Sequence, residues 1–168
     1  SAQTKSAPHS QIVKANKEFA FKLYHEIAKS SKPDENLFFS PISIQYAFSM
    51  LMEGAQGNTA TEIAKGLQLP KEAWRIGEGD EEQLIPKKAA EWHVGMKGLM
   101  KELNGAKNVK LEMANGLWVE KTMDVKPKFI NTLNDKYGLD RGLVAVDFKT
   151  NPEGCRKEIN EWVSKKTQ

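Results

Sequence analysis

Asn36-Leu-Phe-Phe-Ser-Pro-Ile-Ser-Ile-Gln-Tyr-Ala-Phe-Ser-Met-Leu-Met-Glu-Gly-Ala-Gln-Gly-Asn-Thr-Ala-Thr-Glu-Ile63 is the stretch that decides the fold of this 168-residue chain. Leu37 to Phe39 reads as a short apolar strand. Ser40-Pro41 then opens a helix, with a hydroxyl at the cap and a proline at the first helical position, where its missing N–H costs nothing. Ile42, Ile44, Ala47, Phe48, Met50, Leu51 and Met52 make this helix apolar nearly all round, so it belongs inside a protein. Gly54 and Gly57 punctuate. Thr59-Ala-Thr-Glu62 has the spacing of a capping box, which starts a second helix to about Leu67.

Upstream, residues 1–9 read as a loose tail, and residues 10–168 as the folded part. Ser10 is the expected cap of a helix whose stripe is Ile12, Phe19, Leu23 and Ile27. Downstream, Pro70 to Gln83 is polar and glycine-bearing, and reads as a surface loop. Helical spacing returns from Pro86 to Leu103, with Trp92, Met96, Leu99, Met100 and Leu103 on one face. Val109 to Glu120 alternates as a strand, with Val109, Leu111, Met113, Leu117 and Val119 on one side. Pro127 to Tyr137 is amphipathic and closes at Gly138. Leu143 to Phe148 is a further strand. Asn151-Pro152-Glu153 opens a last helix whose apolar face is Cys155, Ile159, Trp162 and Val163. The pattern is α+β. Three strands with open edges make a poor sheet, so the chain reads as part of something larger.

The formal charge is +3, with lysines spread along the chain, so no nucleic-acid footprint is indicated. No run is apolar and long enough to span a membrane. The lone Cys155 excludes an internal disulfide. Residues 1–10 lack the apolar centre of a signal peptide, and no Asn-x-Ser/Thr acceptor occurs. His9, His25 and His93 show no metal-ligand spacing, and no phosphate-cradling glycine loop or catalytic set appears. No catalytic residue and no metal site are expected.

Two polar residues stand out. Asn115 shares strand parity with the apolar residues around it and should face the core, where an amide must be hydrogen-bonded. Either a bulge near Gly116 shifts the phase, or a buried polar network lies there. Ser43, one turn into an apolar helix, either bonds back to its own backbone or joins Ser40 and Asn115. Lys87, Lys88, Lys97 and Lys101 form either a solvated helix face or a polyanion site.

Several of these motifs, in this order, resemble the serpin superfamily. Asn36 to Ser43 is similar to the sixth strand of sheet B entering helix B. Gly57 to Leu67 is similar to helix C. Met113-Ala-Asn-Gly-Leu-Trp-Val119 resembles the second strand of sheet A. Val146-Asp-Phe148 and Ile159-Asn-Glu-Trp-Val163 resemble the first strand of that sheet and helix F. The resemblance implies the N-terminal part of a serpin fold, helices A to F, incomplete without a C-terminal portion that would carry the reactive loop.

That resemblance also implies a function: suicide inhibition of a serine, or in some members a cysteine, protease, and no enzymatic activity. The family's shutter positions fall on Phe38, Ser40, Pro41, Ser43 and Asn115. Ile159, Asn160 and Trp162 belong to helix F, which gates strand insertion. The helix from Pro86 corresponds to helix D, where some members bind a glycosaminoglycan activator, here through Lys87, Lys88, Lys97 and Lys101. No cofactor is required. The implied partners are the C-terminal remainder of the same serpin and a target protease, with no nucleic acid and no membrane. An extracellular site is expected, with the cytoplasm as the alternative. A non-inhibitory serpin (carrier, chaperone or storage protein) and an unrelated α+β binding domain are the other readings.

Overall fold

The computed structural model describes residues 8–32, 34–77, 82–106, 116–139 and 142–166. They form six α-helices, one 3-10 turn and four short strands: α1 Pro8–Ser30, α2 Pro41–Gly54, α3 Gly57–Gly66, a 3-10 turn Lys71–Ala73, β1 Trp74–Ile76, β2 Glu82–Leu84, α4 Pro86–Asn104, β3 Leu117–Glu120, α5 Pro127–Tyr137, β4 Leu143–Val146 and α6 Pro152–Lys166. Two compact units contain them, Ser1–Glu102 and Leu103–Gln168.

In the first unit, four helices surround a core of Ile12, Ala15, Tyr46, Met50, Met52, Ala64, Leu67, Trp92, Met96 and Leu99. Helix α2 is buried on one side, while Phe48 and Leu51 stay about half exposed on the other. The expectation of burial all round therefore holds for one face only. Tyr46 is on the buried face, and desolvation pushes its phenol up to about 12.

Local signals placed most element ends. Ser40 caps α2 in extended conformation, and Gly138 closes α5 in the left-handed region with φ 54°, where a Cβ would be strained. Asn151 Oδ1 accepts from the Gly154 N–H at 3.1 Å at the head of α6.

Four expectations are corrected. Helix α1 begins at Pro8, so Ser10 lies within it rather than capping it. Helix α3 begins at Gly57, which places Thr59 inside the helix, and Glu62 accepts from Asn58 Nδ2 at 3.2 Å in place of a capping box. The expected loop from Pro70 to Gln83 contains the antiparallel pair β1–β2, held by Trp74↔Leu84, Arg75↔Gln83 and Ile76↔Glu82. Leu37–Phe39 joins no sheet among the described residues, because no described strand lies beside it.

In the second unit, β3 and β4 pair in parallel with Leu117↔Leu143 to Glu120↔Val146 in register. Parallel neighbours need a crossover, and α5 supplies it between them. The expected strand from Val109 is described only from Leu117 on; its earlier part, with Asn115, lies outside the described residues.

Candidate functional site

The candidate latch begins where the backbone enters α2. Pro41 fixes the first helical φ, and Ser40 supplies the acceptor that the bare N–H groups there require. The Ser43 N–H donates to Ser40 Oγ at 3.4 Å, and the two hydroxyls lie 2.8 Å apart. Ser40 and Ser43 are thus one unit, and both alternatives for Ser43 meet in it: a local bond and a bond to Ser40. Phe38, just before, is fully exposed. Asn115 lies outside the described residues, so its link to the pair rests on the sequence alone.

Behind the latch, α2 carries buried polar groups that patterning did not single out. Gln45 and Ser49 are fully buried, one turn apart. Gln45 accepts from Asn16 Nδ2 of α1 at 2.9 Å and donates to the Leu67 carbonyl at 3.2 Å. Ser49 Oγ accepts from Trp92 Nε1 of α4 at 2.9 Å. One turn further, Glu53 Oε2 lies 3.0 Å from Nε2 of the buried His93, at ion-pair distance but off the line of a hydrogen bond. The available sequence signal was two amides or hydroxyls four apart in an apolar helix, a spacing that puts both on one face.

The four lysines of α4 separate. Lys88 is half-buried and pairs with Glu91 at 2.7 Å. Lys87, Lys97 and Lys101 are exposed, the last two one turn apart.

In α6, Trp162 is buried and meets the indole of Trp118 on β3 edge to face, with centroids 4.9 Å apart and planes at 74°. Gly116 makes this contact possible, since a Cβ there would collide with the Trp118 ring and approach Trp162. Ile159 is half-buried, and Asn160 is exposed. Of the three residues assigned to helix F, Trp162 therefore makes the aromatic contact with the strand. Trp118, its partner, was not among the expected site residues.

At the far end of β3–β4, Lys121 Nζ donates to Asp147 Oδ2 at 2.6 Å, and Thr150 donates to the same carboxylate through both hydroxyl and N–H. The Lys121 bond, then those from Thr150, hold the Asp147 carboxyl well below the usual carboxylate range, and Lys121 is raised in turn. Cys155 is buried and free. Among the described residues no group of three or more His, Cys, Asp or Glu could hold a metal ion, and no helix is long and apolar enough to cross a membrane.

A protein-family model described as Serpin (serine protease inhibitor) matches residues 14–168. The chain is 34% identical over 160 residues to leukocyte elastase inhibitor A of Rattus norvegicus, covering 94% of this chain and 37% of that protein. It is 32% identical over 157 residues to plasma serine protease inhibitor of Bos taurus, covering 91% of this chain and 34% of that protein. The crystal structure of human thyroxine-binding globulin complexed with its hormone superposes with a TM-score of 0.76 at 29% identity, over 96% of this chain and 39% of that one. The chain thus spans between 34% and 39% of the length of these proteins. With the match running along almost all of its described length, the chain belongs to the serpin family.

Proposed function

We propose that this chain is the N-terminal portion of an inhibitory serpin that traps a serine protease, with cysteine proteases as the second target class. The observation that carries this reading is the family match over residues 14–168 to relatives named as protease inhibitors. In this reading the C-terminal remainder of the same serpin covers the half-exposed side of α2 and brings the reactive loop. The target protease attacks one peptide bond of that loop through its catalytic serine. The C–N bond breaks, the serine proton passes to the departing amine, which becomes a new chain N-terminus, and the carbonyl stays on the serine as an ester. The cleaved loop enters sheet A as a new strand. Ser40, Ser43, Phe38, Pro41 and Asn115 form the shutter that must part. Helix α6 is helix F, and the Trp162–Trp118 contact is what its displacement must break. The protein works outside the cell, as the word plasma in one relative's name suggests, with the cell interior as the alternative.

The test is incubation of the complete polypeptide with elastase-like and trypsin-like serine proteases. A complex that survives SDS and has the summed mass of the two proteins is expected. Cleavage without any such complex overturns the inhibitory reading. That outcome would favour the second reading, a non-inhibitory carrier, for which the likeness to thyroxine-binding globulin is the supporting observation. A glycosaminoglycan activator would act on Lys87, Lys97 and Lys101. Replacing Lys97 and Lys101 by Ala should then lower the salt concentration needed for elution from heparin, and unchanged elution removes the site.

A further inference from the structure

Four hydrogen bonds involving buried side chains converge on one turn of α2: Asn16 Nδ2 to Gln45 Oε1, Gln45 Nε2 to the Leu67 carbonyl, Ser49 Oγ to the Gln45 carbonyl, and Trp92 Nε1 to Ser49 Oγ. Three of them reach α2 from α1, from the end of α3 and from α4, and the bond from Ser49 to the Gln45 carbonyl lies within α2. Gln45 and Ser49 are 0% exposed and Trp92 is 3% exposed. An apolar side chain would satisfy burial alone. An amide at this depth is tolerated only because both its ends are bonded. Hydrogen bonds fix direction, which apolar contacts do not, so this cluster sets the rotation of α2 about its axis and its height among its neighbours.

The other end of the same helix is built differently. Ser40 and Ser43 bond to each other at an exposed N-terminus. Gln45 lies two residues beyond Ser43, on the buried side. One turn is thus pinned by side chains to three neighbours, while the preceding turn is held by local bonds to Ser40: the Ser43 hydroxyl and N–H at its side chain and the Ile44 N–H at its carbonyl.

We propose that Gln45 is a positioning residue for the shutter, the pin that holds α2 in register and governs how readily its Ser40–Ser43 end lets go. This rests on the inhibitory-serpin reading for its purpose, though not for its geometry. Gln45 touches no reacting group and acts through α2. Loss of the amide frees the helix to turn and slide, and lowers the barrier to the sheet-opened form from which serpins join into polymers.

The test uses the complete polypeptide in four forms: unaltered, Gln45→Leu, Trp92→Phe, and Leu133→Ala as a destabilised control in a different helix. Gln45→Leu keeps the volume and removes both side-chain bonds; Trp92→Phe removes one bond from the same cluster and serves if the first variant folds poorly. Amide exchange across Ser40–Ser49 and the rate of heat-induced polymer formation are read at a fixed interval below each variant's own melting temperature. Gln45→Leu should raise both by about tenfold over the control, as loss of hydrogen bonds of ordinary strength implies, with Trp92→Phe in between. Exchange in α2 equal to that of Leu133→Ala, or polymerisation rates that superimpose on it, would overturn the proposal and leave Gln45 a merely structural residue. If the unaltered protein forms no protease complex, the inhibitory reading fails by itself, and the exchange and polymer rates still decide the pin.

Discussion

At the scale of single residues, Asp147 and Gly116 carry the clearest expectations. The folded-state pKa of Asp147 is depressed, so its stabilising contribution is present above the unfolded carboxylate range near about pH 4, and is lost as pH falls from there toward the folded value. Asp147→Asn should therefore flatten the curve of melting temperature against pH below that range, and an unaltered curve would show that the network contributes nothing. Gly116→Ala places a methyl against the Trp118 ring, and overpacking of this kind costs about 1–3 kcal/mol. Urea unfolding measures it, and loss of the near-ultraviolet tryptophan signal should accompany it. Ser40, Pro41, Gly138 and Asn151 were legible in the sequence because capping and turn chemistry is decided within four residues. Gln45, Ser49 and Glu53 were not, because their partners Asn16, Trp92 and His93 lie 29 to 43 positions away or on another helix, and periodicity carries no record of which helices meet. Glu53→Ala should lower stability in chemical denaturation by removing the carboxylate that lies 3.0 Å from the buried His93 ring, and an unchanged midpoint would show that the contact contributes nothing.

At the scale of elements, helix spacing served well where a long apolar face existed, as in α4 and α5. It failed for β1 and β2, three residues each, which are too short to show alternation. It also misplaced the start of α3, because Thr59-Ala-Thr-Glu62 satisfies the capping pattern while Gly57 had already opened the helix. Leu37–Phe39 shows the opposite limit, since an apolar run becomes a strand only beside a partner. Helix α6 reaches β3 through Trp162, whose ring provides the aromatic contact between them. Trp162→Ala should cost about 3–5 kcal/mol as a large-to-small core change. In the serpin reading it should also speed loop insertion, measured as faster complex formation with protease. Equal rates in variant and unaltered protein would separate helix docking from gating.

At the scale of the whole molecule, Phe38, Phe48 and Leu51 leave apolar surface open on the first unit. The 168-residue chain alone should therefore bind 8-anilinonaphthalene sulfonate, and, in the proposed serpin reading, association with a C-terminal portion should suppress the fluorescence. Undiminished dye binding in the assembled protein would mean that this surface serves something else. The order of elements from α1 to α6 was legible as a whole, because several long motifs agreed in sequence; the two-unit division was not, since no break in composition marks Leu103. The parallel pair β3–β4 with its α5 crossover has a consequence for synthesis. Both strands of the pair and their crossover lie within one short span of chain, so the pairing is local. A ribosome releases that span in one piece, and the unit can take shape while translation continues. Ribosome-bound nascent chains should gain protease resistance in this segment as soon as α6 has left the exit tunnel, so that shape in this part of the chain precedes release from the ribosome.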